Sequence, residues 1–548
     1  MRRAACRLAS RVALGATAST GAVGSARWWT WTSLGEVSRS GRHPSSVTSA
    51  SAIARDARRL GTALAGFGAF ALAGVVDVSP AHARASDHIQ PSDAPAVPSG
   101  SPQPAFGEGS RPDSVSLAAL AAEVSSGPDA PRRRALRLLT RVTLFIDHHD
   151  AVLAVPEVLQ ALLSVLARSE RSERRARKSD ETPDPLSTFL AARCLADLAK
   201  SPQTRAALVA DARALRALAD GLRLETRDVD GGRLGAPESS DAPDEPANGS
   251  GTVAATRAAA EAARLAAELA GDAACHAPMC AAGVVDALAR ADVEVESRRW
   301  WPRRAWRRLT TFPLRRRKRR RARDECATEA RVLAERDRHA AATWFGLAGT
   351  SEGSAAIAAA DSAGFGVTRR MRRVASAETD RVAFRYAVGC LARLVAGGFF
   401  DAAKTNTGAE RETSLALASA LRSGDGQAAC FAAAAARAIL VDGSARARAS
   451  LVKRGFVDGA LALLTSPEKG WCAETVRRGD GKRTDGARLC ALRLLHAFAS
   501  SGDEATRRAV AVKGATVLGE FAAGSRRGAG AGAAIREKAS ATLAALGL

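Results

Sequence analysis

The chain has 548 residues and a formal net charge of +23; 46% of its residues are hydrophobic but only 4% aromatic, with Tyr386 the one tyrosine. That length fits several ordinary domains or one long repeat array, and an apolar set dominated by alanine and leucine favours helices over sheets. The nine cysteines include no CxxC pair, which argues against a disulfide-stapled scaffold and against paired zinc motifs.

The charge is local. Residues 298–323 hold 14 Arg/Lys and no acid, and residues 1–85 hold 11 arginines against Glu36, Asp56 and Asp77. The rest of the chain is nearly neutral. Of the 80 basic residues 71 are arginine, a bias that tempers any reading of binding from charge alone.

The N-terminus reads as an address. "MRRAACRLASRVALGATAST" places Arg3, Arg7 and Arg11 on one helical face, and no acid precedes Glu36. An Arg-rich, acid-poor, amphipathic start predicts an organelle transit peptide over 1–56. The expected compartment is mitochondrial, with the chloroplast as the alternative. Residues 57–85 carry an uncharged run from Leu60 to Val76 behind Arg58 and Arg59, followed by small-residue sites at 81–85. This predicts a hydrophobic second targeting segment or a membrane anchor, at the short end of a spanning length. The Pro/Ser/Gly-rich stretch 86–113 predicts a disordered linker.

From 114 to 548 the sequence repeats. "AARCLADLA" (191–199) echoes "AVGCLARLV" (387–395) and "AARLAAELA" (262–270), and "ATWFGLA" (342–348) and "LRLLHAFA" (492–499) follow more loosely. Each is followed by a polar turn, a small-residue helix, and a third helix opening on a Gly or Pro signal, as in "VPEVLQALLSVLARS" (155–169), "GFVDGALALLTS" (455–466) and "GATVLGEFAAGS" (514–525). Two stretches read as insertions: the acidic 225–251, with seven acids and two arginines, and the basic 296–325. Without them the period is about 42–48 residues.

On these residues the chain resembles the armadillo-repeat superfamily. The resemblance implies an all-α, right-handed armadillo-type solenoid of about seven repeats with two disordered insertions, closed by a capping helix over 531–548. It implies stacking of units that cannot bury their apolar faces alone, and a protein partner bound along the solenoid surface. Nuclear import receptors of this class carry an asparagine–tryptophan ladder. Here the asparagines are Asn248 and Asn406, both in predicted loops, so that ladder is not expected.

The catalytic motifs searched for do not stand out: no P-loop, GxGxxG, HExxH or GxSxG with partners. The chain is read as non-catalytic, with no cofactor and no metal. "DHHD" (147–150) reads as a solvated turn, because adjacent helical positions such as His148 and His149 do not face each other. "CHAPMC" offers Cys275, His276 and Cys280 without the second pair that a structural zinc needs. His496 reads as a packed core histidine, and Cys194, Cys390, Cys430 and Cys490 as buried thiols.

One strong local signal remains. "RRWWPRRAWRRL" (298–309) and "RRRKRRR" (315–321) offer Trp300, Trp301, Trp306, Arg315, Arg316, Arg317, Lys318, Arg319, Arg320 and Arg321. Clustered cations neutralise phosphates, and interleaved tryptophans stack on bases or sit at a headgroup interface. The expected function is therefore a protein-binding scaffold or adaptor in an organelle, tethered to an anionic surface by this insert. The alternative is an organellar RNA-associated protein using the same residues. The acidic insert is expected to fold over the basic one and weaken those contacts.

Overall fold

The structure, a computed structural model, describes residues 113–176, 184–223, 251–296, 316–377, 380–399, 408–442, 445–465, 481–501, 503–524 and 532–548. The predicted transit peptide, second targeting segment, linker before Asp113 and most of the acidic insert lie outside them. Among the described residues there are helices and no strands.

The helices fall into successive units of two or three, each with an opening helix. A leading helix, α1 (Ser114–Ser126), precedes the first unit: α2 (Asp129–Thr143), α3 (His149–Leu153) and α4 (Pro156–Ala176). The second is α5 (Pro185–Leu198), α6 (Pro202–Ala210) and α7 (Ala212–Arg223). The third is α8 (Gly251–Ala270), α9 (His276–Ala281) and α10 (284–296). The fourth is α11 (Arg316–Leu347), α12 (Ser351–Ser362) and α13 (Val367–Ala377). Then come α14 (Arg381–Ala396) with α15 (Gly408–Arg422), and α16 (Gly426–Asp442) with α17 (Ala445–Lys453) and α18 (Phe456–Thr465). Last are α19 (Gly481–Ala499) with α20 (Glu504–Ala522), and a closing helix α21 (Ala533–Leu546).

The opening helices pack on one another in chain order: α2 on α5, α5 on α8, α8 on α11, α11 on α14, α14 on α16, α16 on α19 and α19 on α21. The final helices form a second series, with α4 on α7, α13 on α15, α15 on α18 and α18 on α20. Buried side chains from Leu117 to Ala539 make one continuous core, in which alanine is the commonest lining residue. Small side chains let these helices approach closely. At Gly346 a Cβ would sit 2.2 Å from the Ala270 carbonyl oxygen, so α8 and α11 touch backbone to side.

Two polar devices recur and set the register. The N-cap aspartate of an opening helix takes an arginine from the opening helix before it. Arg133 Nε donates to Asp184 Oδ2 at 2.7 Å, Arg338 Nη2 to Asp380 Oδ2 at 2.7 Å, and Arg385 Nε to Asp425 Oδ2 at 2.6 Å. The same carboxylates cap the first backbone N–H groups of α5, α14 and α16. Burial opposes ionisation of Asp184 and Asp380, yet the arginine bonds hold both carboxyls below their usual range. At the other end of an opening helix, a side chain six residues on caps a last-turn carbonyl. Thr143 O accepts from His149 Nε2 (2.9 Å), Ala199 O from Arg205 (3.0 Å), Ala270 O from His276 Nε2 (2.8 Å) and Ala348 O from Ser354 (3.3 Å).

Three sequence expectations change. Residues 296–325 were expected to form a loop, but Glu296 still belongs to α10, and Arg316–Glu325 are the opening turns of α11, a helix of 32 residues. No Gly or Pro lies between Pro313 and Gly346, and Arg, Lys, Ala and Glu are good helix formers. Next, "GATVLGEFAAGS" does not begin a helix, because α20 runs unbroken through Gly514. A Cβ there would meet Leu461 of α18 at 3.1 Å, so the glycine serves packing rather than a turn. Finally, the unit opened by α14 shows no short middle helix among its described residues.

Candidate functional site

Trp300, Trp301, Trp306 and Arg315 lie outside the described residues. Arg316, Arg317, Lys318, Arg319, Arg320 and Arg321 occupy the first two turns of α11. Among the described residues no single helix is long and apolar enough to cross a membrane; one pair, Ile146–Leu153 and Pro156–Ala167, passes by length and composition but is bent by 96°.

The two histidine motifs are structural caps of equivalent helix ends. In "DHHD", Asp147 and His148 lie in a 3-10 turn, Ile146–His148, and His149 opens α3. His149 is buried, not solvated as the sequence suggested, because its ring closes the end of α2 at Thr143. His148 is half-buried, its ring 5.3 Å from Phe145. In "CHAPMC", His276 spends both ring nitrogens: Nε2 donates to Ala270 O, so Nδ1 accepts from the Thr350 hydroxyl at 2.8 Å. Burial holds this ring below the usual histidine value. Burial pushes the Cys275 thiol up to about 11 and Cys280 upward as well, which disfavours the thiolates a metal would require. No group of three metal-ligating side chains converges among the described residues.

Two clusters were not visible in the sequence. The first is a buried ionic network where α10, α11 and α13 meet. Asp292 Oδ1 accepts from Arg336 Nη1 at 2.9 Å, and Oδ2 accepts from Trp344 Nε1 at 2.9 Å. Arg370 reaches the Asp292 carbonyl and pairs with Asp337. Arg336 is 0% exposed and Asp292 3%. The network faces no solvent, so it specifies packing rather than offering a site.

The second cluster lies on α16, α19 and α21 and is partly open. Cys430 is buried, and its thiol donates to the carbonyl of Gly486 on α19 at 3.9 Å, one turn ahead of Cys490. Arg437 on α16 is exposed, and Cys490, Arg493, His496 and Lys538 are half-buried. His496 is therefore not a core histidine: its Nδ1 is shielded without a hydrogen-bond partner, and its ring faces Lys538 and Arg437. Burial, then Lys538 and Arg437, lower the His496 pKa; burial, then Arg437 and Arg493, lower that of Lys538. The cations thus crowd one another, with Glu537 the acid beside Lys538. Cys490 is shifted down, first by the Cys430 hydrogen bond and then by Arg493 and Arg437, against the effect of burial. Cys194 and Cys390, by contrast, are pushed up to about 12 by burial. The sequence hint was the spacing Cys490-x2-Arg493-x2-His496 on one helix, but its partners Cys430, Arg437 and Lys538 sit on two others.

No family model matches the chain, and no curated protein is similar to it. Two engineered proteins of known structure are similar in part. One is 20% identical, covering 53% of this chain and 91% of its own, with a TM-score of 0.35. The other is 13% identical, covering 68% and 98%, with a TM-score of 0.30. Likeness at this level carries no argument about fold or function.

Proposed function

We propose that the chain is an armadillo-type right-handed α-solenoid acting as a non-catalytic protein-binding scaffold in an organelle. The observation that carries this reading is the unbroken series of opening helices, each packed on the next, with polar side chains left half-buried along it. Glu268 on α8 and Tyr386 on α14 are both half-buried, and the Tyr386 hydroxyl is held above its usual value first by burial and then by the Glu268 charge, although α11 lies between their helices in the series. Half-buried side chains on helices two apart in the series are proposed to line a shared surface, which suits an extended partner better than a small molecule. Residues 298–323 are proposed to tether the complex to an anionic membrane, with RNA as the competing ligand.

Proximity labelling of the tagged full chain, compared with a variant carrying Glu268→Lys and Tyr386→Ala, tests the scaffold reading. The expected result is loss of specific labelled proteins with unchanged helicity. Identical labelling by both chains would remove the surface from consideration. Binding to anionic vesicles and to single-stranded RNA, measured with and without Trp300, Trp301 and Trp306 replaced by Ala, separates the two tethering ligands. Fusing the first 90 residues to a reporter reads the compartment.

A further inference from the structure

We propose that Arg137, Arg141 and Arg193, on α2 and α5, form a binding site for a carboxylate, filled by an aspartate or glutamate from an acidic segment of a protein partner. The use of this site rests on the scaffold reading, to which it adds the chemistry of the partner.

The internal repeat shows what this place binds. The capped carbonyls of Thr143, Ala199 and Ala270 mark equivalent points on α2, α5 and α8. Six residues ahead of them stand Arg137, Arg193 and Arg264, and two residues ahead stand Arg141, Asp197 and Glu268. Between α5 and α8 these two places are in contact, with Arg264 Nη2 donating to Asp197 Oδ1 at 2.5 Å. Between α2 and α5 the same two places hold Arg193 and Arg141. A guanidinium stands where the carboxylate stood, so the carboxylate must come from outside.

Contacts between α2 and α5 fix that facing. Arg133 bonds Asp184, and Thr140 Oγ1 lies 3.2 Å from Cys194 Sγ, so the two helices run parallel with Thr140 level with Cys194. Cys194 also donates to the Leu136 carbonyl at 3.9 Å. On parallel helices, the residue after a contact position on one and the residue before a contact position on the other turn about 100° to the same side. Arg137 and Arg141 follow Leu136 and Thr140, and Arg193 precedes Cys194. All three therefore leave the helix pair on one side.

The cations are accessible and unmatched. Arg137 and Arg141 are exposed and Arg193 is half-buried. Among the described residues none of the three has an ion-pair partner, and Arg193 Nε is shielded from water without an acceptor. Asp197, one turn along α5, is already held by Arg264 and by Lys200 at 2.9 Å, and Glu261 is held by Arg264 at 3.1 Å. A guanidinium presents a fork of N–H groups that matches a carboxylate. Arg141 and Arg193 would grip one carboxylate from two helices, with Arg137 a turn behind.

The full chain at low salt is titrated with a fluorescein-labelled peptide of alternating Glu and Gly, followed by anisotropy. A benzophenone on the same peptide maps where it sits, with cross-links expected within 134–143 and 189–199. Arg141→Gln should weaken binding about fivefold, the size of an exposed ion pair. Arg193→Gln should weaken it about tenfold, as a hydrogen bond to a charged group. Arg141→Asp copies Asp197 and fills the site from within, so it should abolish peptide binding. An acid in the last turn of α2 opposes the helix dipole. Arg141→Asp should therefore lower the melting temperature in an Arg193→Gln background but not in the parent chain, which reads the facing without any ligand. Circular dichroism checks folding; should Arg193→Gln not fold, Arg137→Gln with Arg141→Gln, both at exposed positions, must abolish binding. Cross-links confined to 298–323, equal melting shifts from Arg141→Asp in both backgrounds, or displacement of the peptide from α2 and α5 by a lower concentration of phosphoserine peptide or RNA overturns the proposal. Peptide binding at this site with proximity labelling unmoved by Glu268→Lys and Tyr386→Ala would count against the scaffold reading alone, and the reverse result against this site alone.

Discussion

Asp292→Ala is the sharpest test of the core. The carboxylate is 3% exposed and is held by the Arg336 guanidinium, itself 0% exposed, at 2.9 Å, and by the Trp344 indole N–H at 2.9 Å. Removing it leaves the Arg336 and Arg370 charges in a water-poor interior without this counter-charge, a change that costs about 3–5 kcal/mol. The Trp344 N–H loses its acceptor, which adds about 1 kcal/mol or more. Asp292→Asn keeps an acceptor oxygen for the indole and should recover about that second part. Because a stacked array need not unfold in one step, the readout is local hydrogen exchange over 284–296 and 333–347, alongside urea unfolding followed by circular dichroism. The double variant Asp292→Ala, Arg336→Met should cost at least about 1 kcal/mol less than the sum of the single changes, since the stranded cation goes with its partner. Strictly additive costs, or an Asp292→Ala penalty below about 1 kcal/mol, would show that the network is not the closed, dry cluster described.

Three other outcomes are expected. Gly346→Ala should destabilise by about 3 kcal/mol, since its Cβ would fall 2.2 Å from Ala270 O, whereas Gly519→Ala, with no atom within 4 Å, should stabilise by about 0.5–1 kcal/mol; thermal unfolding of both compares them. Asp425→Ala removes the cap of α16 and the anchor for Arg381 and Arg385 together and should cost about 2–3 kcal/mol in urea unfolding. His276 has its pKa lowered chiefly by burial, so the folded state favours the neutral ring. A depressed folded pKa gives stability that is complete above the unfolded value of about 6.5 and is lost as pH falls below it toward the folded value. Melting temperature should therefore drop between about pH 7 and pH 5, and His276→Gln should flatten part of that slope; an unchanged slope would remove His276 from the titration.

What could be read from the sequence was local. The small-residue helices ending at Ala199, Ala270, Ala348 and Ala499 gave the period, and the Pro and Gly signals at Pro156 and Gly455 gave the starts of α4 and α18. The opening helix α16, "GQAACFAAAAARAILVD", carries no such marker, because alanine fills the positions where leucine identifies its neighbours. The stretch around His149 read as a solvated turn and the stretch around His276 as ordinary packing, because spacing cannot show that each ring is spent on a carbonyl six residues back. Nor can periodicity pair Asp292 with Arg336, Trp344 and Arg370, which lie 44, 52 and 78 residues away. Those contacts depend on which helix faces which, and that is decided by packing across units.

The same packing explains where the chain tolerates length. Of the segments outside the described residues between helices, 177–183, 224–250, 297–315, 378–379, 466–480 and 525–531 fall between the last helix of one unit and the helix that opens or closes the next, whereas 400–407, 443–444 and 502 follow the opening helices α14, α16 and α19. At that junction the incoming helix is positioned by its neighbour rather than by the connection. Arg133, Arg338 and Arg385 reach forward to hold N-cap aspartates, and Arg264 of α8 reaches back to Asp197 of α5 at 2.5 Å. In the first four units the junction after the opening helix is different, since a capping contact six residues on fixes the turn. Replacing residues 226–249 with a Gly/Ser linker of about six residues should therefore leave the fold intact and raise stability by about 1 kcal/mol, the entropy of roughly two halvings of loop length. Inserting the same linker between Ala270 and His276 should instead cost about 1–2 kcal/mol through the lost cap. Urea unfolding of both variants decides it: a destabilised 226–249 replacement, or an insertion at 270–276 without penalty, would mean that the connections and not the bridging side chains set the register of the units.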